Sequence, residues 1–213
     1  MHLVLLGDSI FDNGRYTRGE PDVVSHLKRL LPSGWRASLL AVDGATTSGV
    51  AAQLARLPPD ATCLALSVGG NDALRHLDLL STPVASTGEA LDLFGTRVAG
   101  FAADYERALG RVAARGLPVV ACTIYNGALP DPAEAARARV ALTLFNDAIL
   151  RAALKLRCAA LELRLVCDRL EDYANPIEPS GRGGAKIARA LARATGALDE
   201  REPALYQPHR AGD

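Results

Sequence analysis

Aromatic side chains are scarce in this chain. Phe, Tyr and Trp make up 5% of its 213 residues, and there is a single Trp. Hydrophobic residues still reach 49%, so a sizeable core must be built mainly from Leu, Val and Ala. Net charge is missing as well, because 24 Lys and Arg balance 24 Asp and Glu. Such a balance gives no general attraction for nucleic acid or for an anionic membrane, and neither is an expected partner. No apolar stretch is long enough to span a bilayer. No signal peptide is visible, since strand-like sequence starts at residue 2, and a cytoplasmic location is expected. The four cysteines, Cys63, Cys122, Cys158 and Cys167, form no C-x-x-C pair. Three of them lie in or beside apolar runs, which points to buried free thiols rather than a disulfide framework or a metal site. Histidine is limited to His2, His26, His76 and His209.

Strand-like and helix-like segments alternate along the chain. Apolar runs predict strands over Leu3 to Leu6, Trp35 to Val42, Cys63 to Val68, Val119 to Ile124 and Ala159 to Val166. Glu162 and Arg164 give the last of these an edge-like character. Helical spacing covers Val23 to Leu31, Glu89 to Arg115, Pro132 to Leu156 and Gly183 to Thr195. A further helix is expected from Thr46 or Thr47 to Leu57, ended by Pro58-Pro59. Alternation of this kind predicts βαβ units, a mostly parallel five-stranded sheet and helices on both faces. The length suits one α/β domain over residues 1–197. A surface-draped tail is expected over 198–213.

Three polar, glycine-containing loops follow the first three strands: Gly7-Asp8-Ser9, Asp43-Gly44-Ala45-Thr46-Thr47 and Gly69-Gly70-Asn71-Asp72. In a parallel sheet all three emerge at one edge, where ligand chemistry concentrates. Their residue types suit acyl transfer. Ser9 offers a hydroxyl that becomes a nucleophile when a base takes its proton. Backbone N–H groups at Ser9 and Gly44, with the Asn71 amide, can stabilise the oxyanion of a tetrahedral intermediate.

These residues resemble the SGNH/GDSL hydrolase superfamily. Gly7-Asp8-Ser9 matches its nucleophile motif, Gly44 its glycine loop and Gly69-Gly70-Asn71-Asp72 its asparagine loop. The resemblance runs from Gly7 to about Leu191. It implies a flavodoxin-like, three-layer α/β/α sandwich and a serine esterase, lipase or thioesterase acting on a small-molecule ester. It also implies no metal or organic cofactor. The oligomeric state stays open.

The family's last motif, D-x-x-H before Pro-Ser and a glycine-containing helix, is altered. Here the stretch reads Asn175-Pro176-Ile177-Glu178-Pro179-Ser180, with a glycine-rich helix start from Gly181 to Lys186. Asn175 stands at the acid position and Glu178 at the histidine position. His76 follows Asn71 by five residues and reads as a surface or capping residue. An unperturbed Glu, with a pKa of about 4.3, is a poor base. Burial can raise it toward about 6–7, where general-base catalysis works. Asn175 would then donate a hydrogen bond that holds the Glu178 rotamer. The competing reading pairs Glu178 with a basic side chain such as Arg182 or Lys186. Ser9 is then a bystander in an inactive, ligand-binding protein. Asp8 and Asp72 read as turn residues that bond backbone N–H groups. Asp168 and Asp172 read as solvated loop acids, with Asp172 within reach of the site. Without a pair of His ligands they make a poor metal site. Arg15 to Asp22 and Asp78 to Gly88 are the loops expected to shape a pocket, with Tyr16 and Tyr125 as further lining candidates.

Overall fold

Every residue of the first strand, β1 (His2–Gly7), is buried, as a strand covered on both faces requires. Its side chains alternate between two cores. Val4 and Leu6 enter one, and Leu3 and Leu5 enter the other. The computed structural model of the protein describes residues 1–198. His209 and all of the expected tail except Leu198 lie outside the described residues.

Four more strands complete the sheet: β2 (Arg36–Leu39), β3 (Cys63–Ser67), β4 (Val119–Cys122) and β5 (Ala159–Leu161). The order is β2-β1-β3-β4-β5 and every pairing is parallel. This is the flavodoxin-like doubly wound arrangement, whose topological switch point lies between β1 and β3. One face carries α2 (Val50–Leu54), α4 (Thr87–Ala113) and α5 (Pro132–Lys155). The other carries α1 (Val23–Leu30), α6 (Leu163–Val166) and α7 (Gly181–Ala194). A short α3 (Gly70–Leu74) follows β3. The starts of α1, α4 and α7 are capped by side chains, which satisfy N–H groups left unpaired there. Asp22 accepts from Ser25 N–H, Ser86 from Glu89 N–H and Ser180 from Gly183 N–H.

Two expectations need correction. The fifth strand ends at Leu161, not Val166. The Glu162 carboxylate accepts the Arg164 N–H and caps α6, which bends the chain out of the sheet. The helix expected from Thr46 or Thr47 to Leu57 begins as a 3-10 turn, Thr47–Gly49, and its α-helical part stops at Leu54. Neither threonine caps it. The Thr47 hydroxyl and N–H are both taken by Asp72.

Buried side-chain amides finish two strands at the carboxyl edge. Gln53 clasps Gly7, accepting from its N–H at 2.7 Å and donating to its carbonyl at 2.7 Å. Asn146 does the same for Ile124, at 2.7 and 2.8 Å. Each amide replaces the partner that a neighbouring strand would supply.

The long helices divide their labour. All buried residues of α4 lie from Phe101 onward, and all of those in α5 from Phe145 onward. Their amino-terminal halves overhang the sheet edge. Replacing Gln53 with Leu keeps the volume but strands the Gly7 N–H. Denaturant titration of Gln53→Leu should show a loss of about 1–3 kcal/mol.

Candidate active site

The nucleophile turn exists because residue 7 has no side chain. Gly7 has φ 129°, and a β-carbon there would lie 1.8 Å from the Ser67 carbonyl oxygen. That close approach lets Asp8 N–H donate to Ser67 at 2.9 Å and delivers Ser9 to the edge of the sheet. Ser9 follows β1 and Asn71 follows β3, so the two flank the switch point.

The asparagine loop is clamped to the glycine loop. Asn71 Nδ2 donates to the Ala45 carbonyl at 2.9 Å, and Asp72 holds Thr47. Gly44 lies in an exposed turn one residue from that clamp. Among the described residues the Ser9 and Gly44 N–H groups donate to no other group. The second Asn71 amide hydrogen is also unassigned.

Glu178 reaches Ser9. The Ser9 hydroxyl donates to Glu178 Oε1 at 3.1 Å, and both residues are buried, at 7% and 6% exposure. No cation pairs with Glu178 among the described residues. Arg182 and Lys186, the expected partners, turn instead to Asp172. Burial pushes the Glu178 carboxyl up to about 7. The Ser9 hydrogen bond pulls it down, and the nearby Asp43 carboxylate adds to the rise. Its second oxygen, Oε2, is buried without a hydrogen bond.

The loop carrying Glu178 is held from several sides. Tyr125 donates its hydroxyl to the Ile177 carbonyl at 2.6 Å, and Asn13 Nδ2 donates to the Pro179 carbonyl at 3.2 Å. Ala128 N–H donates to the Pro176 carbonyl, and Ala174 N–H to that of Glu178. Asn175 acts differently from expectation. Its amide oxygen accepts from Ile177 and Glu178 N–H, both at 2.9 Å. It shapes the turn beneath Glu178 instead of bonding the carboxylate, because those turn amides would otherwise lack an acceptor.

Asp172 is also corrected. It is fully buried, not solvated, and is fixed by Lys186 Nζ at 2.7 Å and by Arg169 N–H at 2.9 Å. Its backbone abuts Gly183, where a β-carbon would lie 2.1 Å from the Asp172 carbonyl oxygen. Asp172 thereby anchors the Glu178 loop against α7 and takes no part in the Ser9–Glu178 contact. Asp8 and Asp72 bond loop N–H groups, at Ile10 and Thr47. No group of His, Cys, Asp and Glu among the described residues suits a metal ion.

A cavity of about 290 Å³ opens beside Ser9 and Glu178. Its walls include Leu80, Phe94, Ile124, Leu129, Leu142 and Phe145, and Leu74, Leu77 and Ile177 stand at its exposed rim. These walls come from α3, the 3-10 turn after it, the overhanging halves of α4 and α5, and residues 124–129. The Arg15 to Asp22 loop stays outside the cavity, and Asp78 to Gly88 contributes only Leu80. Tyr125 lines the cavity, whereas Tyr16 donates to Asp43 at 2.9 Å. His76 lines it as well and stacks on Phe145 with ring centroids 6.0 Å apart. Sequence reasoning passed over Gln53 and Asn146. The usable signal was a lone amide on an otherwise apolar helix face.

A family model for GDSL-like lipases and acylhydrolases matches residues 5–199. The chain belongs to that family. No curated protein matches it. Among solved structures, it is similar to an alpha/beta hydrolase enzyme from the metagenome of Lake Arreo, Spain. That pair shares 23% identity and a TM-score of 0.69, over 93% of this chain and 96% of the other. A phospholipase A1 from Streptomyces albidoflavus is 17% identical, with a TM-score of 0.67 over 91% and 98%. An acetyl-xylooligosaccharide esterase from Geobacillus is 19% identical, with a TM-score of 0.66 over 95% and 97%. At these identities the likeness carries the fold, a five-stranded parallel α/β architecture, and family membership supports a hydrolase of esters.

The raised Glu178 pKa sets a stability signature. The folded protein holds this proton up to about pH 7, while the unfolded chain releases it near 4.5. Stability therefore declines as pH rises through that window. Glu178→Gln should stabilise the protein at pH 8, by on the order of 3 kcal/mol, and leave it unchanged near pH 4. Thermal unfolding at the two pH values measures this.

Proposed function

We propose that the protein is a serine hydrolase of carboxylic esters or thioesters in which Ser9 is the nucleophile and Glu178 the base. The observation that carries this reading is the 3.1 Å hydrogen bond from the Ser9 hydroxyl to a buried Glu178 that no cation neutralises. A base works best when its pKa lies near the operating pH, and a carboxyl raised to about 7 meets that condition.

The reaction proceeds in two halves. Ser9 Oγ attacks the ester carbonyl while Glu178 takes the hydroxyl proton. The N–H groups of Ser9 and Gly44 and the free Asn71 amide hydrogen receive the oxyanion. Each such donor is worth about 10²–10³-fold in rate. As the intermediate collapses, Glu178 gives its proton to the departing alcohol or thiol, leaving Ser9 acylated. Water then attacks the acyl group, Glu178 takes its proton, and that proton returns to Ser9 Oγ as the carboxylic acid departs. Asn175 positions Glu178 through its backbone N–H, and Tyr125 holds the preceding carbonyl of Ile177. The apolar cavity supports an aliphatic acyl chain beyond acetyl in length. Four unpaired cysteines, three of them buried, support a reducing compartment.

A second reading, a ligand-binding protein without turnover, draws on the use of Asn175 for turn amides, which leaves no partner to orient the Glu178 carboxylate. Hydrolysis of p-nitrophenyl hexanoate separates the two. On the hydrolase reading kcat/KM rises with pH to a plateau above about 7 and exceeds that for the acetate ester. Ser9→Ala should reduce it by at least about 10³-fold, and Glu178→Gln by about 10²–10⁴-fold with loss of the pH dependence. Turnover undiminished in Ser9→Ala would sink the hydrolase reading. No turnover together with no phosphonate labelling of Ser9 would favour the binding one.

A further inference from the structure

The hydrolysis described above makes no use of Asp8. This carboxyl sits in the nucleophile turn, is 1% exposed, and lines the same cavity as Ser9. Ile10 N–H donates to Oδ1 at 3.1 Å. Among the described residues, no donor from another residue reaches Oδ2. That oxygen borders the gap left by Gly70, where a methyl group would sit 3.9 Å from Asp8 Oδ2 and 3.9 Å from Ile124 Cγ2. Gly70 and Ile124 are both cavity wall. Asp8 thus stands in the cavity wall between Gly70 and the nucleophile Ser9.

The groups around Asp8 are acids or neutral. Glu178 approaches from the 173–180 loop, Asp72 from α3, Cys122 from β4, Tyr105 from α4 and Tyr125 from the segment after β4. Burial, then the Glu178 and Asp72 carboxylates, push Asp8 up to about 8.

We propose that Asp8 selects acyl groups carrying a hydroxyl on the second or third carbon, by hydrogen-bonding that hydroxyl at the inner end of the apolar cavity. The inference rests on the ester-hydrolase reading of Ser9 and names its substrate class. An acyl carbonyl held at Ser9 Oγ brings its first carbons past the side chain of the adjacent residue. Farther along, the chain meets a wall that is mostly apolar, with Phe94, Leu129, Leu142 and Phe145, and with His76 as its polar member. A hydroxyl both donates and accepts, so it pairs with Asp8 whether the carboxyl holds its proton or not. A keto oxygen only accepts and loses its partner once the carboxyl ionises.

The test compares p-nitrophenyl esters of hexanoic, 2-hydroxyhexanoic, 3-hydroxyhexanoic and 6-hydroxyhexanoic acids, each divided by its alkaline hydrolysis rate. The 2- or 3-hydroxy ester should exceed both hexanoate and the 6-hydroxy ester in kcat/KM by about 10-fold or more. Asp8→Leu should bring the ratio to one or less. Asp8→Asn should keep a preference, since its amide also pairs with a hydroxyl. Calorimetric titration of Ser9→Ala with methyl hexanoate and its hydroxy counterparts reads the same ratio as Kd, without turnover. Equal kcat/KM and equal Kd for plain and hydroxylated chains overturn the proposal. So does a preference that survives Asp8→Leu. If Asp8→Leu does not fold, the wild-type ratios and Asp8→Asn still decide it. A hydroxyl preference in binding, with no turnover of any ester, supports Asp8 selection and removes the hydrolase reading alone.

Discussion

The backbone of β1 turns at Gly7 within van der Waals reach of the Ser67 carbonyl, and the geometry of the carboxyl edge follows from that contact. A β-carbon at residue 7 would occupy the space that the carbonyl oxygen needs. Because it is absent, β1 and β3 stay paired to their last residues, and Asp8 N–H continues the ladder by donating to Ser67. Ser9 then emerges on one side of the switch point with Asn71 on the other. Gln53, from α2, holds the same glycine through both its N–H and its carbonyl. The turn is thus braced by close approach and by hydrogen bonding at once, which keeps the Ser9 hydroxyl where Glu178 can meet it.

Electrostatics at this edge are set by exclusion. The cations nearest in sequence, Arg182 and Lys186, are engaged by the buried Asp172. Glu178 and Asp8 are left with protein hydrogen-bond donors and with neighbouring carboxylates. The Glu178 and Asp72 carboxylates raise the Asp8 carboxyl, and the Asp43 carboxylate raises Glu178. A histidine in place of Glu178 would become cationic on taking the Ser9 proton. Glu178 instead becomes neutral, so the transition state at this site gains no positive charge near the oxyanion and depends more heavily on the N–H donors.

Much of the fold was legible because buried parallel strands are written as short apolar runs separated by glycine and polar loops. The three loops at Ser9, Gly44 and Asn71 were legible for the same reason, since strand ends fix which side of the sheet each occupies. Glu178 could be located because Pro179-Ser180 and the glycines of α7 fix the register. Other features left no local mark. Leu163–Val166 is as apolar as a strand, and only the Glu162 carboxylate folding back on Arg164 makes it a helix. Asp172 looked like any loop acid, since its burial depends on Lys186 from α7. Asn175 was assigned a bond to the wrong atom of Glu178, a choice set by backbone amides two and three residues on. The loops expected to shape a pocket lost to helix halves whose overhang depends on where the sheet stops.

That overhang has a consequence for how the molecule can change. The amino-terminal halves of α4 and α5, which line the cavity as far as Phe94 and Leu142, contribute none of those helices' buried residues. Substitutions at Phe94 or Ala138 therefore alter a binding volume without opening a void in the folding core. Amide protons there should exchange with solvent through local fraying long before those beyond Phe101 and Phe145, which are released only with the sheet. Selection can thus remodel substrate choice in one end of each helix while the other end preserves the architecture.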